Sequence, residues 1–228
     1  MVSRFTEGPV SGSPARIPAC FKTLVIPRLA IFTVIKNGSG PTAILTGANH
    51  GDEYEGPIAL WGMTHTMKAD DVSGRVVMVP AMNYPAFNAG KRTSWIDGGN
   101  MNRVFPGNPE GTITEIIADY FSRTLLPMAD YVIDIHSGGK TMEFLPFGAA
   151  HILDDKDQQS RCVAAVQAFN APYTLMLLEP DAAHLYDTAA ENQGKSTSKG
   201  QVEGDGSVSG PFCSIHAFSS GLQTVPCM

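Results

Sequence analysis

Residues 42–53 read Thr42-Ala43-Ile44-Leu45-Thr46-Gly47-Ala48-Asn49-His50-Gly51-Asp52-Glu53, and their reading decides the fold class. Thr42 to Thr46 has the apolar character of a short buried strand. Gly47-Ala48-Asn49 then breaks the run, and Gly56-Pro57 opens a helical pattern, Pro57 to Met67. A buried strand that turns tightly into a helix is the repeating unit of an α/β sheet. Working outward, Leu24 to Ile26, Ala30 to Ile35 and Arg75 to Pro80 read as strands before and after this unit. Thr112 to Leu126 carries Ile113, Ile116, Ile117, Tyr120 and Phe121 at helical spacing, and Tyr131 to Ile135 is a second buried strand. A strand over Thr141 to Phe147, a helix over Asp157 to Phe169 and a strand over Tyr173 to Leu178 continue the rhythm. The alternation predicts an α/β domain: a largely parallel sheet with helices on both faces.

The turn after the first buried strand also carries chemistry. His50 and Glu53 stand three apart at the strand-to-helix junction, with Glu53 expected in the first helical turn, so both can point at one spot. A His-x-x-Glu tetrad by itself is common in proteins without metal. Here Asp134-Ile135-His136-Ser137-Gly138-Gly139 delivers His136 at the end of another strand, completing the two-His, one-Glu set of catalytic zinc sites with a position left for water. Asp134, two residues earlier on that strand, faces the same side and is placed to fix an imidazole tautomer. Zn2+ is the cofactor this set predicts.

At 228 residues and 43% hydrophobic the chain can bury a sizeable core. A formal net charge of −6 without a basic block argues against a nucleic-acid partner and for a small molecule. The longest apolar stretch, Leu24 to Ile35, is broken by Pro27 and Arg28 and too short to span a membrane, so no membrane partner is expected. The N-terminus lacks the apolar core of a signal peptide, and the expected compartment is the cytoplasm. Cys20, Cys162, Cys213 and Cys227 lie far apart and read as scattered reduced thiols.

The long polar loop Asn83 to Gly107 contains Arg92 and the pair Asn102-Arg103. A guanidinium fork with a neighbouring amide suits a carboxylate, and a second arginine beside zinc can polarise a carbonyl and hold the developing oxyanion. In this order, His-Gly-Asp-Glu, loop arginines with Asn-Arg, and Asp-Ile-His-Ser-Gly-Gly, the chain resembles the succinylglutamate desuccinylase/aspartoacylase family over roughly residues 25 to 195. Within it, Asp97 to Gly107 and Leu185 to Glu191 most resemble the N-acetyl-diaminobutyrate deacetylases of ectoine breakdown. The resemblance implies a carboxypeptidase-A-like mixed, largely parallel sheet, truncated here at the C-terminus, and zinc-dependent hydrolysis of the amide of a small N-acyl amino acid. It also implies that His50, Glu53 and His136 bind zinc, Arg92 polarises the carbonyl, and Asn102 and Arg103 hold the substrate carboxylate.

The chain departs from the family after Lys195. Where family members carry Thr-Glu-Leu-Gly-Gly, whose glutamate is the general base, this chain has Lys199-Gly200-Gln201-Val202-Glu203-Gly204. By position Gln201 replaces the base, and Glu203 is the nearby carboxylate that would have to substitute. The expected organisation is an irregular arm over 1–24, an incomplete catalytic domain over 25–195 and a divergent, irregular tail over 196–228. An uncovered sheet edge there invites self-association, so a homo-oligomer is among the expected states. Two other readings compete: an inactive zinc- or metabolite-binding remnant, because the base is missing, and a metallocarboxypeptidase, which needs a peptide-sized groove. A phosphate loop at Gly194-Lys195-Ser196 fails because its earlier glycine is Ala189, and no Gly-x-Ser-x-Gly elbow exists for a serine hydrolase.

Overall fold

The computed structural model describes residues 22–26 and 30–202. Strands β1 (Lys22–Ile26), β2 (Ala30–Asn37), β3 (Thr42–Gly47), β4 (Gly74–Val79), β5 (Tyr131–His136), β6 (Phe147–His151), β7 (Tyr173–Leu177) and β8 (Ser196–Gln201) form one sheet in the order β1-β2-β4-β3-β5-β8-β6-β7. The middle pairings, β4 with β3, β3 with β5 and β5 with β8, are parallel, as is β6 with β7. The pairings β1 with β2, β2 with β4 and β8 with β6 are antiparallel, which makes the sheet mixed.

Helices α1 (Glu55–Thr66), α2 (Tyr84–Ala89), α3 (Ile113–Tyr120), α4 (Lys156–Phe169) and α5 (Tyr186–Glu191) cover both faces. Period-two alternation along each strand divides the interior into two cores. Ile44, Val77 and Val132 pack with Ile117, Phe121 and Tyr186 on the α3/α5 side. Their strand neighbours Leu45, Met78 and Ile133 pack with Leu60, Met63 and Phe169 on the α1/α4 side. Among the described residues no helix is long and apolar enough to cross a membrane.

Several sequence expectations are corrected. Ser196–Gln201, expected to open the irregular tail, is β8, held between β5 and β6 in the sheet interior. Its small and polar residues hide it from a hydrophobicity pattern, but they are what the packing requires. A Cβ on Gly200 would meet the Phe169 ring at 2.6 Å. At the other end β1 begins inside the expected arm. The strand expected over Thr141 to Phe147 instead starts at Phe147. The loop 83–107 contains α2 and a 3-10 turn, Met101–Arg103. The helix expected to Leu126 keeps α-helical form only to Tyr120 and then widens through Phe121–Leu125 before Pro127.

Since β3, β5 and β8 run parallel, their carboxyl ends lie along one edge of the sheet, and it is there that His50, His136 and Gln201 sit. The chain leaves β3 through Ala48, a buried non-glycine residue with φ of 52°. This left-handed conformation costs about 1–2 kcal/mol. Backbone hydrogen bonds from Met82 to Gly47 (2.9 Å) and from Asn83 to Ala48 (3.0 Å) hold it. Immediately after, Gly51 lies against the backbone of α2: a Cβ there would stand 2.0 Å from the Ala86 carbonyl carbon and 2.2 Å from the Phe87 nitrogen. Neither backbone atom can swing aside as a side chain would. Gly51→Ala is therefore expected to destabilise the fold by about 1–3 kcal/mol or more, read as a lower midpoint in urea denaturation; an unchanged midpoint would mean that the turn before Glu53 is not clamped by α2.

Candidate metal centre

Glu53 joins the two strand ends. Its Oε1 lies 2.7 Å from His50 Nδ1 and its Oε2 lies 2.8 Å from His136 Nδ1. All three side chains are buried. Glu53 is not in the first helical turn, as the sequence reading expected. It precedes α1 in a turn closed by Glu53 N–H donating to the His50 carbonyl (3.2 Å), with Tyr54 as the residue before the helix. The Ser137 N–H donates to Oε2 and the Arg92 guanidinium to Oε1, both at 3.2 Å.

The outward-facing imidazole nitrogens are occupied by protein. His50 Nε2 is 3.2 Å from Asn100 Oδ1. His136 Nε2 is 2.8 Å from Asp134 Oδ2, a charge contact too oblique for a formal hydrogen bond. Asp134 is itself held by Thr46 Oγ1 (2.6 Å) and Asn49 Nδ2 (2.9 Å). Asn100 is anchored in turn through its loop, because Asp97 accepts hydrogen bonds from the Thr114 N–H and hydroxyl (both 2.8 Å) and from Gly99 N–H (3.1 Å).

The charges are strongly coupled. Burial alone would raise the Glu53 pKa, but hydrogen bonds with His136 and His50 outweigh it and hold the carboxyl well below the usual carboxylate range. Burial opposes protonation of His136, yet Asp134 and Glu53 together push it up to about 10. Asp134 is held down by the same partner, against the effect of burial.

These residues fit a metal ion. His50, Glu53 and His136 each offer a ligand atom, and those atoms lie within 4.8 Å of one another. Both Nδ1 atoms face the carboxylate while Asn100 and Asp134 engage the far nitrogens, which is the arrangement that orients metal-binding imidazoles. A metal would displace any proton shared between Glu53 and the two Nδ1 atoms.

A cleft of about 170 Å³ opens from this point, and Arg92, Asn102, Arg103 and Gln201 line it. Asn102 is buried on the 3-10 turn, where its Oδ1 accepts from Tyr186 N–H (3.0 Å), leaving the amide N–H groups as donors. Arg103 Nη1 donates to the Asn102 carbonyl (2.6 Å). Gln201 pairs in register with His136, is buried, and its Nε2 has no hydrogen-bond partner. Glu203 lies outside the described residues.

The structure thus gathers His50, Glu53, His136, Asp134, Arg92, Asn102 and Arg103 in one place. Sequence reasoning missed Thr46, Asn49 and Asn100 as supports, and Glu179 and Lys199 as walls of the cleft. A signal existed for Thr46, which stands opposite Asp134 in the β3–β5 register. None existed for Glu179 and Lys199, whose partners are distant in sequence.

Comparison with known proteins shows what the chain is similar to. The N-alpha-acetyl-L-2,4-diaminobutyric acid deacetylase of Halomonas elongata is 58% identical over 163 residues, 72% of this chain and 48% of that protein. The product-bound structure of the ectoine utilization protein EutE (DoeB) from Ruegeria pomeroyi superimposes with a TM-score of 0.76 at 61% identity, over 85% of this chain and 58% of that one. A metallo-carboxypeptidase from Burkholderia cenocepacia shares the fold alone, at a TM-score of 0.68 and 16% identity, over 86% of this chain and 61% of that one. The chain therefore spans about half the length of the curated relative it matches. The succinylglutamate desuccinylase/aspartoacylase catalytic domain model matches residues 39–207, which contain every element from β3 to β8, and the chain belongs to that family.

Proposed function

We propose that this chain carries the site of a zinc-dependent deacylase that hydrolyses the amide of a small N-acyl amino acid of the N-acetyl-diaminobutyrate type, with turnover limited by Gln201. The observation that carries the reading is the convergence of two imidazole Nδ1 atoms on one buried carboxylate at the head of a cleft that also presents Arg92, Asn102 and Arg103. The deacetylase named for the Halomonas relative supports the substrate type. The cytoplasm is the compartment this reading expects.

A zinc ion held by His50, Glu53 and His136 would supply a Lewis acid for the acyl carbonyl and lower the pKa of water toward neutrality. The chain's own groups do the rest. Arg103 and the Asn102 amide donate to the substrate carboxylate and fix its register. Arg92 has one nitrogen on Glu53 and a half-exposed side chain, so its remaining N–H groups can hold the carbonyl oxygen as negative charge develops there. Asp134, 2.8 Å from His136 Nε2, would favour the tautomer protonated there and keep the ring in place. Hydrolysis also needs a proton carried from water to the leaving amine, and an amide cannot accept one. Gln201 can therefore orient a substrate but not act as its base.

That same residue favours a second reading, a binding protein that retains metal and ligand recognition without turnover. A metallocarboxypeptidase is less well supported, since the relative at 58% identity is named a deacetylase and the metallo-carboxypeptidase shares only 16% identity.

Three outcomes test this account. Asp134→Asn should weaken zinc affinity about 10- to 100-fold in competition with a chromophoric chelator; equal affinity would mean that the carboxylate does not support His136 as a ligand. Gln201→Glu should raise kcat on N-acetyl-diaminobutyrate by about 100- to 10,000-fold. No gain would show that another group, Glu203 among them, already serves as base. In that improved background Arg103→Ala should raise KM by about 10- to 100-fold while the denaturation midpoint stays put, and an unchanged KM would remove the carboxylate-clamp role.

A further inference from the structure

Beside the metal centre, a row of charged side chains joins β6, β8, α5 and the segment after β7. Thr197, Lys199 and Gln201 alternate onto one face of β8. Lys199 Nζ lies 3.0 Å from Asp187 and 3.9 Å from Glu179. His151 Nδ1 is 2.8 Å from Glu191, and its Nε2 is 3.0 Å from Glu179 and 3.8 Å from Asp187. Thr197 also donates to Glu191. Burial disfavours the charged imidazole, but Glu191, Asp187 and Glu179 outweigh it and push His151 up to about 9, so it is a cation at neutral pH.

Three carboxylates therefore face two cations. Asp187 and Glu191 are nearly buried; Asp187 faces Lys199 and, further off, His151, and Glu191 faces His151. Glu179 is 38% exposed and uses only Oε2; Oε1 makes no hydrogen bond among the described residues. The uncompensated negative charge thus rests on Glu179, and Glu179 lines the cleft.

His151, Glu179 and Asp187 could also be read as a second metal site, since their ligand atoms fall within 4.8 Å of one another. The Lys199 ammonium opposes it, because it lies 3.0 Å from Asp187 and 3.9 Å from Glu179, in the space an ion would take. What the row lacks is a single positive charge approaching from the cleft.

We propose that Glu179 is a specificity residue that accepts the free side-chain ammonium of a diamino acid acylated on its α-nitrogen. The proposal rests on the deacylase reading above. Among the described residues of the cleft Arg92, Arg103 and Lys199 are cations, and Glu53 is consumed by His50 and His136, leaving Glu179 as the carboxylate with an open oxygen. The cleft is then bipolar: Arg103 and Asn102 take the substrate carboxylate, and Glu179 takes its ammonium. A substrate with an apolar or anionic side chain has no donor to offer that oxygen.

The test measures binding, so low turnover does not obscure it. Isothermal titration calorimetry on the zinc-loaded protein would compare N-acetyl-2,4-diaminobutyrate with N-acetylnorvaline, in which a methyl replaces the ammonium. The protein should prefer the diaminobutyrate by about 10- to 100-fold in Kd. Glu179→Gln should lower the preference to about threefold or less with the norvaline Kd unchanged, and Glu179→Asp should retain part of it. Absence of a preference in the unsubstituted protein, which needs no variant to fold, overturns the proposal, as does an undiminished preference in Glu179→Gln. If neither ligand binds while zinc does, the deacylase reading falls and the proposal with it.

Discussion

The double contact of Glu53 with His50 and His136 is the constraint around which the rest of this structure is arranged. It ties the carboxyl ends of two parallel strands that are far apart in sequence, through one buried carboxylate. A buried group of this kind is costly unless every lone pair and proton is matched. The surroundings supply most of these matches: Ser137 N–H and Arg92 on Glu53, Asn100 on His50, and a charge contact from Asp134 to His136 with Thr46 and Asn49 behind it. Replacing a buried charged cluster by apolar residues of similar size is often neutral or stabilising in proteins. Spending stability on a pre-set triad is what a metal-binding role requires, because ligands held in place lose little freedom when the ion arrives.

The two hydrophobic cores serve the same end. Alternate residues of β3, β4 and β5 lock the sheet between α1 and α4 on one side and α3 and α5 on the other, so strand ends cannot drift independently. Left-handed Ala48 and the close approach of Gly51 to α2 then set the turn that aims His50 and Glu53. The arginines come from a loop, but that loop is pinned by Asp97 at the start of α3 and by Asn102 to the backbone of α5.

Much of this was legible because it is local. The strand-turn-helix at residues 42–66 and the placement of His136 two residues after Asp134 follow from turn chemistry and from period two. Glu53 stands one residue ahead of the cap instead of in the first turn, since the boundary depends on a cap that no side chain marks. β8 was not legible at all. Ser196-Thr197-Ser198-Lys199-Gly200-Gln201 looks like a linker because its residues are small or polar, and only the tertiary structure shows Phe169 over Gly200, Glu191 bonded to Thr197 and Asp187 paired with Lys199. The same holds for Glu179: a lone carboxylate acquires meaning from a histidine and a lysine that the sheet brings to it. Gln201 lies between these cases. Its position was read by resemblance, and the register with His136 sets it in the cleft wall.

The central claim is that metal enters through the two inward Nδ1 atoms and Glu53. Anomalous diffraction at the zinc edge, on crystals of the zinc-loaded protein, tests it directly. The account predicts one zinc bound to His50 Nδ1, Glu53 and His136 Nδ1 at about 2.0 to 2.2 Å, with Asn100 and Asp134 still on the outer nitrogens. Zinc on the Nε2 atoms, zinc among His151, Glu179 and Asp187 instead, or no zinc between the two strand ends would contradict it.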